Sequence, residues 1–150
     1  MDYKKSDFMG ILLDSGFIYA LKDEDDNNHD LAEKILKELD WSKKYPVYVP
    51  IFIINETYTL MVYRTKGNLK KISSLDDFFW GDEAFFKIID FKPNEYTEVA
   101  KLIPKYVSQK KLLSFVDLSL IYMGIKLKIE EIISFDSHFD GIMYRISDVF

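Results

Sequence analysis

Four carboxylates have the type and spacing to do chemistry together: Asp14, Glu56, Asp117 and Asp136. Each follows a short apolar run or lies within the helix that such a run feeds. Each therefore belongs to the carboxyl end of a different strand–helix unit. In an open parallel sheet those ends share one edge, so acids far apart in sequence meet there. Carboxylates gathered so closely do not all ionise without a cation. Oxygen-only ligands in this number suit Mg²⁺ or Mn²⁺. Such an ion neutralises the acids, polarises a phosphate and lowers the pKa of a bound water. The pattern implies metal-dependent hydrolysis of phosphodiesters.

Each acid also has an ordinary role open to it. Asp14 can cap the helix that follows, since Asp is a preferred cap. Asp136 can be a turn residue in Phe-Asp-Ser-His-Phe-Asp. Asp117 stands three residues after Ser114 in an S-x-x-D capping pattern, where an acid also favours the helix dipole. Glu56 is harder to explain this way, because it sits on a strongly apolar helix where an inward charge is costly. One acid among 25 says little, whereas four at matching junctions say much more.

The elements that must position them read as follows. Residues 10–14 form a buried strand ending in an acid, and residues 15–21 begin a helix. A charged loop over 22–30 leads to a helix over 29–40, with Leu31, Ile35, Leu36 and Leu39 on one face. Residues 45–49 form the next strand, and Pro50 is placed to open a helix running to Arg64 that carries Glu56. Gly67 ends it, and a weaker helix covers 69–80. A strand over 85–91 precedes a helix over 93–107, which Pro104 kinks or ends. An amphipathic helix over 114–127 has Ser114 as its cap and Asp117 in its first turn. A strand over 131–135 runs directly into Asp136, and a short strand over 144–146 closes the series. The order β-α-α-β-α-α-β-α-α-β-α-β predicts an α/β fold with parallel strands and crossover helices.

The chain has 150 residues, 48% apolar and 16% aromatic, which suits one domain with a sizeable core. No apolar run approaches the roughly 18 residues that cross a bilayer. The first ten residues carry Lys4 and Lys5 without an apolar stretch behind them, so a secretory leader is not expected. There is no cysteine, which removes disulfides, thiolate ligands and thiol nucleophiles. A cytoplasmic protein is the expectation. The net charge of −5 excludes a general nucleic-acid coat protein. It leaves room for a groove lined locally by bases such as Lys22, Lys66, Lys70 or Lys110. Tyr58, Met61 and Tyr63, with Phe78, Phe79 and Trp80, are numerous enough to suggest an apolar surface and self-association.

These residues resemble a known family. ILLDSGFIYAL, followed by the D-x-x-H-x-x-A spacing of Asp26, His29 and Ala32, is similar to the opening of a PIN domain. VPIFIINETYTLMVYR resembles the second motif, with its acid at Glu56. LLSFVDLSLIYMGIKLKIEEIISFDSHFDGI resembles the third and fourth, with Asp117 and Asp136. The likeness spans essentially the whole chain, and single domains of this length are similar to the VapC-type toxins of VapBC toxin–antitoxin pairs. It implies a three-layer sandwich around a mostly parallel sheet of four to five strands. It also implies a Mg²⁺- or Mn²⁺-dependent endoribonuclease leaving 5′-phosphate and 3′-hydroxyl ends. A homodimer inhibited by a small antitoxin is implied as well.

On that likeness Asp14, Glu56, Asp117 and Asp136 are the metal ligands, directly or through water. Ser15 matches a hydroxyl beside the first acid, and Ser114 the Ser or Thr ahead of the third. Asp140 is a candidate outer acid, although Asp-Gly is also a turn signal. Arg64 is a candidate phosphate contact, although an Arg at a helix C-terminus is also favoured by the dipole. Helix capping accounts for Asp26 and His29. Neither histidine, His29 or His138, stands where a general base is expected.

Other readings fit less well. There is no glycine-rich phosphate loop. A phosphoacceptor receiver wants paired acids after the first strand, whereas Asp14 stands alone. A D-x-D phosphatase is disfavoured because Ser15 and Gly16 follow Asp14. A domain that grips RNA or protein without cutting has no need of all four acids.

Overall fold

The computed structural model describes residues 10–82 and 84–149. The expectation about a leader therefore lies outside the described residues. Five strands form one parallel sheet: β1 (Ile11–Leu13), β2 (Val47–Pro50), β3 (Lys87–Ile89), β4 (Glu131–Ile133) and β5 (Tyr144–Ile146). Their spatial order is β3-β2-β1-β4-β5, with Ile11 opposite both Val47 and Glu131. The expected α/β class and parallel sheet are both present.

Among the described residues seven α-helices accompany the strands: α1 (Ser15–Lys22), α2 (His29–Glu38), α3 (Ile51–Arg64), α4 (Leu69–Trp80), α5 (Pro93–Ala100), α6 (Ile103–Tyr106) and α7 (Phe115–Leu127). From β1 to β3 the chain steps one way across the sheet, and from β3 to β4 it steps back. Right-handed crossovers then place α1–α4 on one face and α5–α7 on the other. The core is continuous. All three β1 residues, Phe17, Ile18, Ile35, Ile53, Met61, Leu75, Leu120, Ile132 and Ile133 are buried. The reversal of strand order falls at β1 and β4, the switch point where open α/β sheets hold ligands.

Several expected boundaries move for identifiable reasons. The helix expected over 93–107 divides into α5 and α6. A proline ring clashes with the carbonyl four residues earlier, and α5 ends at Ala100, four before Pro104. Pro104 then sits in the first turn of α6, where no N–H is needed. The strand expected over 131–135 stops at Ile133, because its partner Leu13 is the last residue of β1 before the chain turns into α1. Asp136 thus stands three residues beyond the strand and not directly after it. The last expected helix is only a 3₁₀ turn, Ser137–Phe139. The α7 helix lacks a polar face: Leu118, Ser119, Leu120, Ile121, Met123 and Gly124 are buried while Ile125 is exposed. It packs so closely that a Cβ on Gly124 would come 2.9 Å from the Ile129 carbonyl oxygen. Among the described residues no helix is long and apolar enough to cross a membrane.

Candidate active site

The switch point carries the first acid. Asp14 leaves β1 directly, and its backbone N–H still donates to the Ile133 carbonyl at 3.0 Å, so its direction is set by the ladder. Its side chain caps α1, accepting from the Ser15 N–H at Oδ1 (2.8 Å). Its other oxygen, Oδ2, accepts from the Ser134 hydroxyl at 2.6 Å. Ser134, the residue after β4, thus meets the residue after β1 across the crevice.

Glu56 is six residues into α3, and its Oε2 accepts from the Ser15 hydroxyl at 3.0 Å. Ser15 therefore holds both acids, one through its amide and one through its side chain. Asp117 and Ser114 form a reciprocal capping box. The Ser114 N–H donates to Asp117 Oδ2 at 2.9 Å, and the Asp117 N–H donates to Ser114 Oγ at 3.0 Å. The cap and the aim of the carboxylate are the same geometry. Asp136 Oδ1 accepts from the His138 N–H at 2.9 Å, capping the 3₁₀ turn, while its own N–H donates to Ser134 Oγ at 3.0 Å.

All four acids line one cleft of about 320 Å³, with Ser15, Gly16, Asp26, Asn28, Leu60, Arg64 and Phe135. Of the four acids, only Asp136 has a basic side chain within 4 Å among the described residues: His138 Nδ1 lies 3.3 Å from its Oδ1. The electrostatics follow. Burial pushes the Asp14 carboxyl from 3.8 up to about 7, against the pull of Ser134 and the Ser15 amide, and Asp117 and Glu56 add to the rise. Burial also raises Glu56, opposed by the Ser15 hydroxyl and reinforced by Asp117. Asp117 rises through burial too, opposed by Ser114 and reinforced by Asp136. Such an excess of oxygen donors, short of positive charge, suits a hard divalent cation.

The supporting residues divide. Ser15 and Ser114 hold acids as described. Arg64 lines the cleft, with its guanidinium 4.9 Å from the Tyr19 ring centroid, and its charge favours ionised Glu56. Asp140 lies outside the cleft, where both its oxygens accept from Arg145, at 2.7 and 3.2 Å. His29 is structural: its Nδ1 meets the Ala20 carbonyl at 2.7 Å. Lys22 and Lys70 line a separate groove beside α4. Two residues were not anticipated. Ser134 was hidden inside an apolar run. His138 brings a ring nitrogen to a place where it and carboxylate oxygens of Asp117 and Asp136 lie within 4.8 Å of one another.

The PIN domain family matches residues 11–142, and the chain belongs to that family. The fold recurs in solved structures. One is the Mycobacterium tuberculosis toxin VapC20, described as cleaving the sarcin-ricin loop. It is 19% identical, with a TM-score of 0.72 over 89% of this chain and 97% of that one. VapBC2 from Rickettsia felis, bound to a DNA fragment from its promoter, is 17% identical, with a TM-score of 0.63 over 92% and 98%. FitAcB from Neisseria gonorrhoeae is 16% identical, with a TM-score of 0.61 over 91% and 96%. No curated protein sequence matches the chain.

Proposed function

We propose that this chain is a divalent-metal-dependent endoribonuclease, working as one domain and as the toxin of a toxin–antitoxin pair. The observation that carries the reading is the acid-lined cleft at the switch point, whose innermost carboxylate, Asp14, is buried against neutral donors, the Ser15 amide and the Ser134 hydroxyl. The PIN family is one of nucleases, and the VapC, VapBC and FitAcB structures that share this fold support the toxin reading.

Asp14, Glu56, Asp117 and Asp136 would hold Mg²⁺ or Mn²⁺, directly or through water. When bound, the ion neutralises the carboxylates, polarises a phosphate and acidifies a water. The protein's own part is preorganisation. Ser134 and the Ser15 amide fix Asp14 from two sides, and the Ser15 hydroxyl fixes Glu56. The capping box fixes Asp117. Each acid is thus held before substrate arrives, so little is lost to reorganisation. Arg64 brings a planar cation to the cleft wall, suited to bidentate contact with an RNA phosphate. Its stacking on Tyr19 restrains it there.

A homodimer is supported by large apolar side chains exposed along α3 and α4: Val62, Tyr63, Leu69 and Trp80. Met61 and Phe79, by contrast, are buried. A small antitoxin entering the acidic cleft and a cytoplasmic setting complete the reading. The test is cleavage of a mixed RNA pool with Mg²⁺ or Mn²⁺, comparing wild type with Asp14→Asn and Asp117→Asn. Cleavage lost with EDTA and in both variants is expected. Equal cleavage by all three proteins would mark a contaminant. No cleavage by wild type, with RNA still bound, would favour a binding module.

A further inference from the structure

We propose that His138 is a direct ligand of the cation, making this centre a mixed nitrogen–oxygen site that selects Mn²⁺ over Mg²⁺. The inference rests on the metal-dependent reading above and goes beyond its four carboxylates.

Three observations meet on this side chain. The first is distance. A His138 ring nitrogen, an Asp117 oxygen and an Asp136 oxygen lie within 4.8 Å of one another. Ligands on opposite sides of a small divalent cation are about 4.2 Å apart, so one ion can bridge all three with small side-chain adjustments. The second is anchorage. His138 is the middle residue of a 3₁₀ turn, with its N–H donating to Asp136 and the next residue, Phe139, fully buried in the core. The imidazole is therefore carried on a backbone already fixed to one of the acids. The third is the division of hydrogen bonds in the cleft. Both Asp14 oxygens already accept protein donors, while among the described residues Glu56 accepts only at Oε2, Asp117 only at Oδ2 and Asp136 only at Oδ1. The Asp117–Asp136–His138 side therefore keeps more donor capacity for an ion than Asp14 does.

The chemistry decides which ion. Imidazole suits transition metals, whereas Mg²⁺ takes oxygen and keeps its waters. The alternative is that His138 only orients Asp136 through their 3.3 Å contact. In that case its loss weakens both ions alike.

The experiment uses untagged chain and Mn²⁺ alone as the probe. Pulsed electron paramagnetic resonance of the Mn²⁺-loaded protein reads nitrogen bound to the ion. The chain has two histidines, and His29 is engaged with the Ala20 carbonyl. The expected result is a ¹⁴N coupling that changes to the ¹⁵N pattern when histidine is ¹⁵N-labelled and vanishes in His138→Gln. Titration should show Mn²⁺ affinity falling about tenfold or more in His138→Gln, with Mg²⁺ affinity changing far less. The labelled wild type keeps the test valid even if the variant misfolds. Mn²⁺ bound without nitrogen coupling, or equal loss for both ions, overturns the inference and leaves the carboxylate centre standing. Wild type that binds no Mn²⁺ or Mg²⁺ overturns both.

Discussion

Two acids of this chain are almost equally covered and are handled in opposite ways. Glu95 is 5% exposed and Asp14 is 6% exposed. Glu95, on α5, accepts from Lys126 and Tyr122 of α7 at Oε1 and from the Lys92 N–H at Oε2. The Lys126 contact, then the Lys92 amide, hold its carboxyl down at about 2. Desolvation is the weaker influence there. Asp14 meets only neutral donors, a hydroxyl and an amide, with other acids beyond them, and desolvation carries it up to about 7. Burial of an acid does not mark function. Burial without a compensating charge is the better sign, because strongly shifted carboxyls cluster at functional sites. Glu95 ties α5 to α7, whereas Asp14 lies at the proposed cation site.

The largest effect expected from this contrast is a crossing of phenotypes. Asp14→Asn should cut RNA cleavage by at least about a hundredfold, as loss of several kcal/mol of charge stabilisation does. The metal-free variant should unfold no more easily than wild type. Glu95→Gln should do the reverse, lowering the thermal midpoint by several degrees while cleavage stays within a few-fold. Cleavage rates and melting curves on both variants read the two axes. If Glu95→Gln lost cleavage as fully as Asp14→Asn, the distinction between the two acids would collapse.

The pH dependence of stability sharpens the same contrast. Asp14 titrates at about 7 in the fold against 3.8 without it. The folded chain therefore holds a proton that the unfolded chain releases. This contribution is fully present below about 4 and is lost as pH rises through 7, about 4 kcal/mol at most. Glu95 has the opposite sign. Its contribution is present above the ordinary 4.5 and is lost as pH falls through about 2. Denaturant unfolding of metal-free wild type should show stability declining from pH 5 to pH 8, and Asp14→Asn should flatten that decline. A flat wild-type profile would mean that Asp14 is already ionised in the metal-free fold.

Adding the cation should reverse that slope, with a smaller readout. Carboxylate ligands bind metal in their ionised form, so binding releases protons and strengthens as pH rises. Mn²⁺ or Mg²⁺ at about a hundred times its dissociation constant stabilises by about 2.7 kcal/mol. The gain in thermal midpoint should be larger at pH 8 than at pH 5.5. An equal gain at both would place the ion away from the acids.

Much of this was legible in the chain, and the gaps have physical causes. Four acids after apolar runs point to the sheet edge because β1 and α3 are written by local pattern: an unbroken apolar strand, and a Pro-led apolar helix. The Ser114 box was legible because caps are local. Ser134 was not, since its role exists only when β4 pairs with β1 and sets it beside Asp14. A hydroxyl at the end of an apolar run, opposite an acid, is the only signal it leaves. His138 falls in the Phe-Asp-Ser-His-Phe-Asp segment, whose turn signal describes its backbone and is silent about its ring. Asp140 was read as a candidate acid of the site, but its partner Arg145 arrives from β5. The turn signal of Asp-Gly described that residue better.

Ser134→Ala should give the smallest of these effects and the most specific one. The substitution removes the 2.6 Å hydroxyl bond to Asp14 Oδ2 and the acceptor for the Asp136 N–H. The cost in stability is about 1–2 kcal/mol, since a buried hydrogen bond is lost and the space left is small. The Ser134 bond is the strongest influence holding the Asp14 pKa down, so its loss lets burial push that carboxyl higher still. The acid limb of the pH–rate profile for RNA cleavage should then move to higher pH, with the rate at high pH reduced far less. Ser134→Thr keeps the hydroxyl and should hold the limb near its wild-type position. A uniform loss of rate at every pH in Ser134→Ala would mean that Ser134 acts by placing Asp136 and not by setting the charge of Asp14.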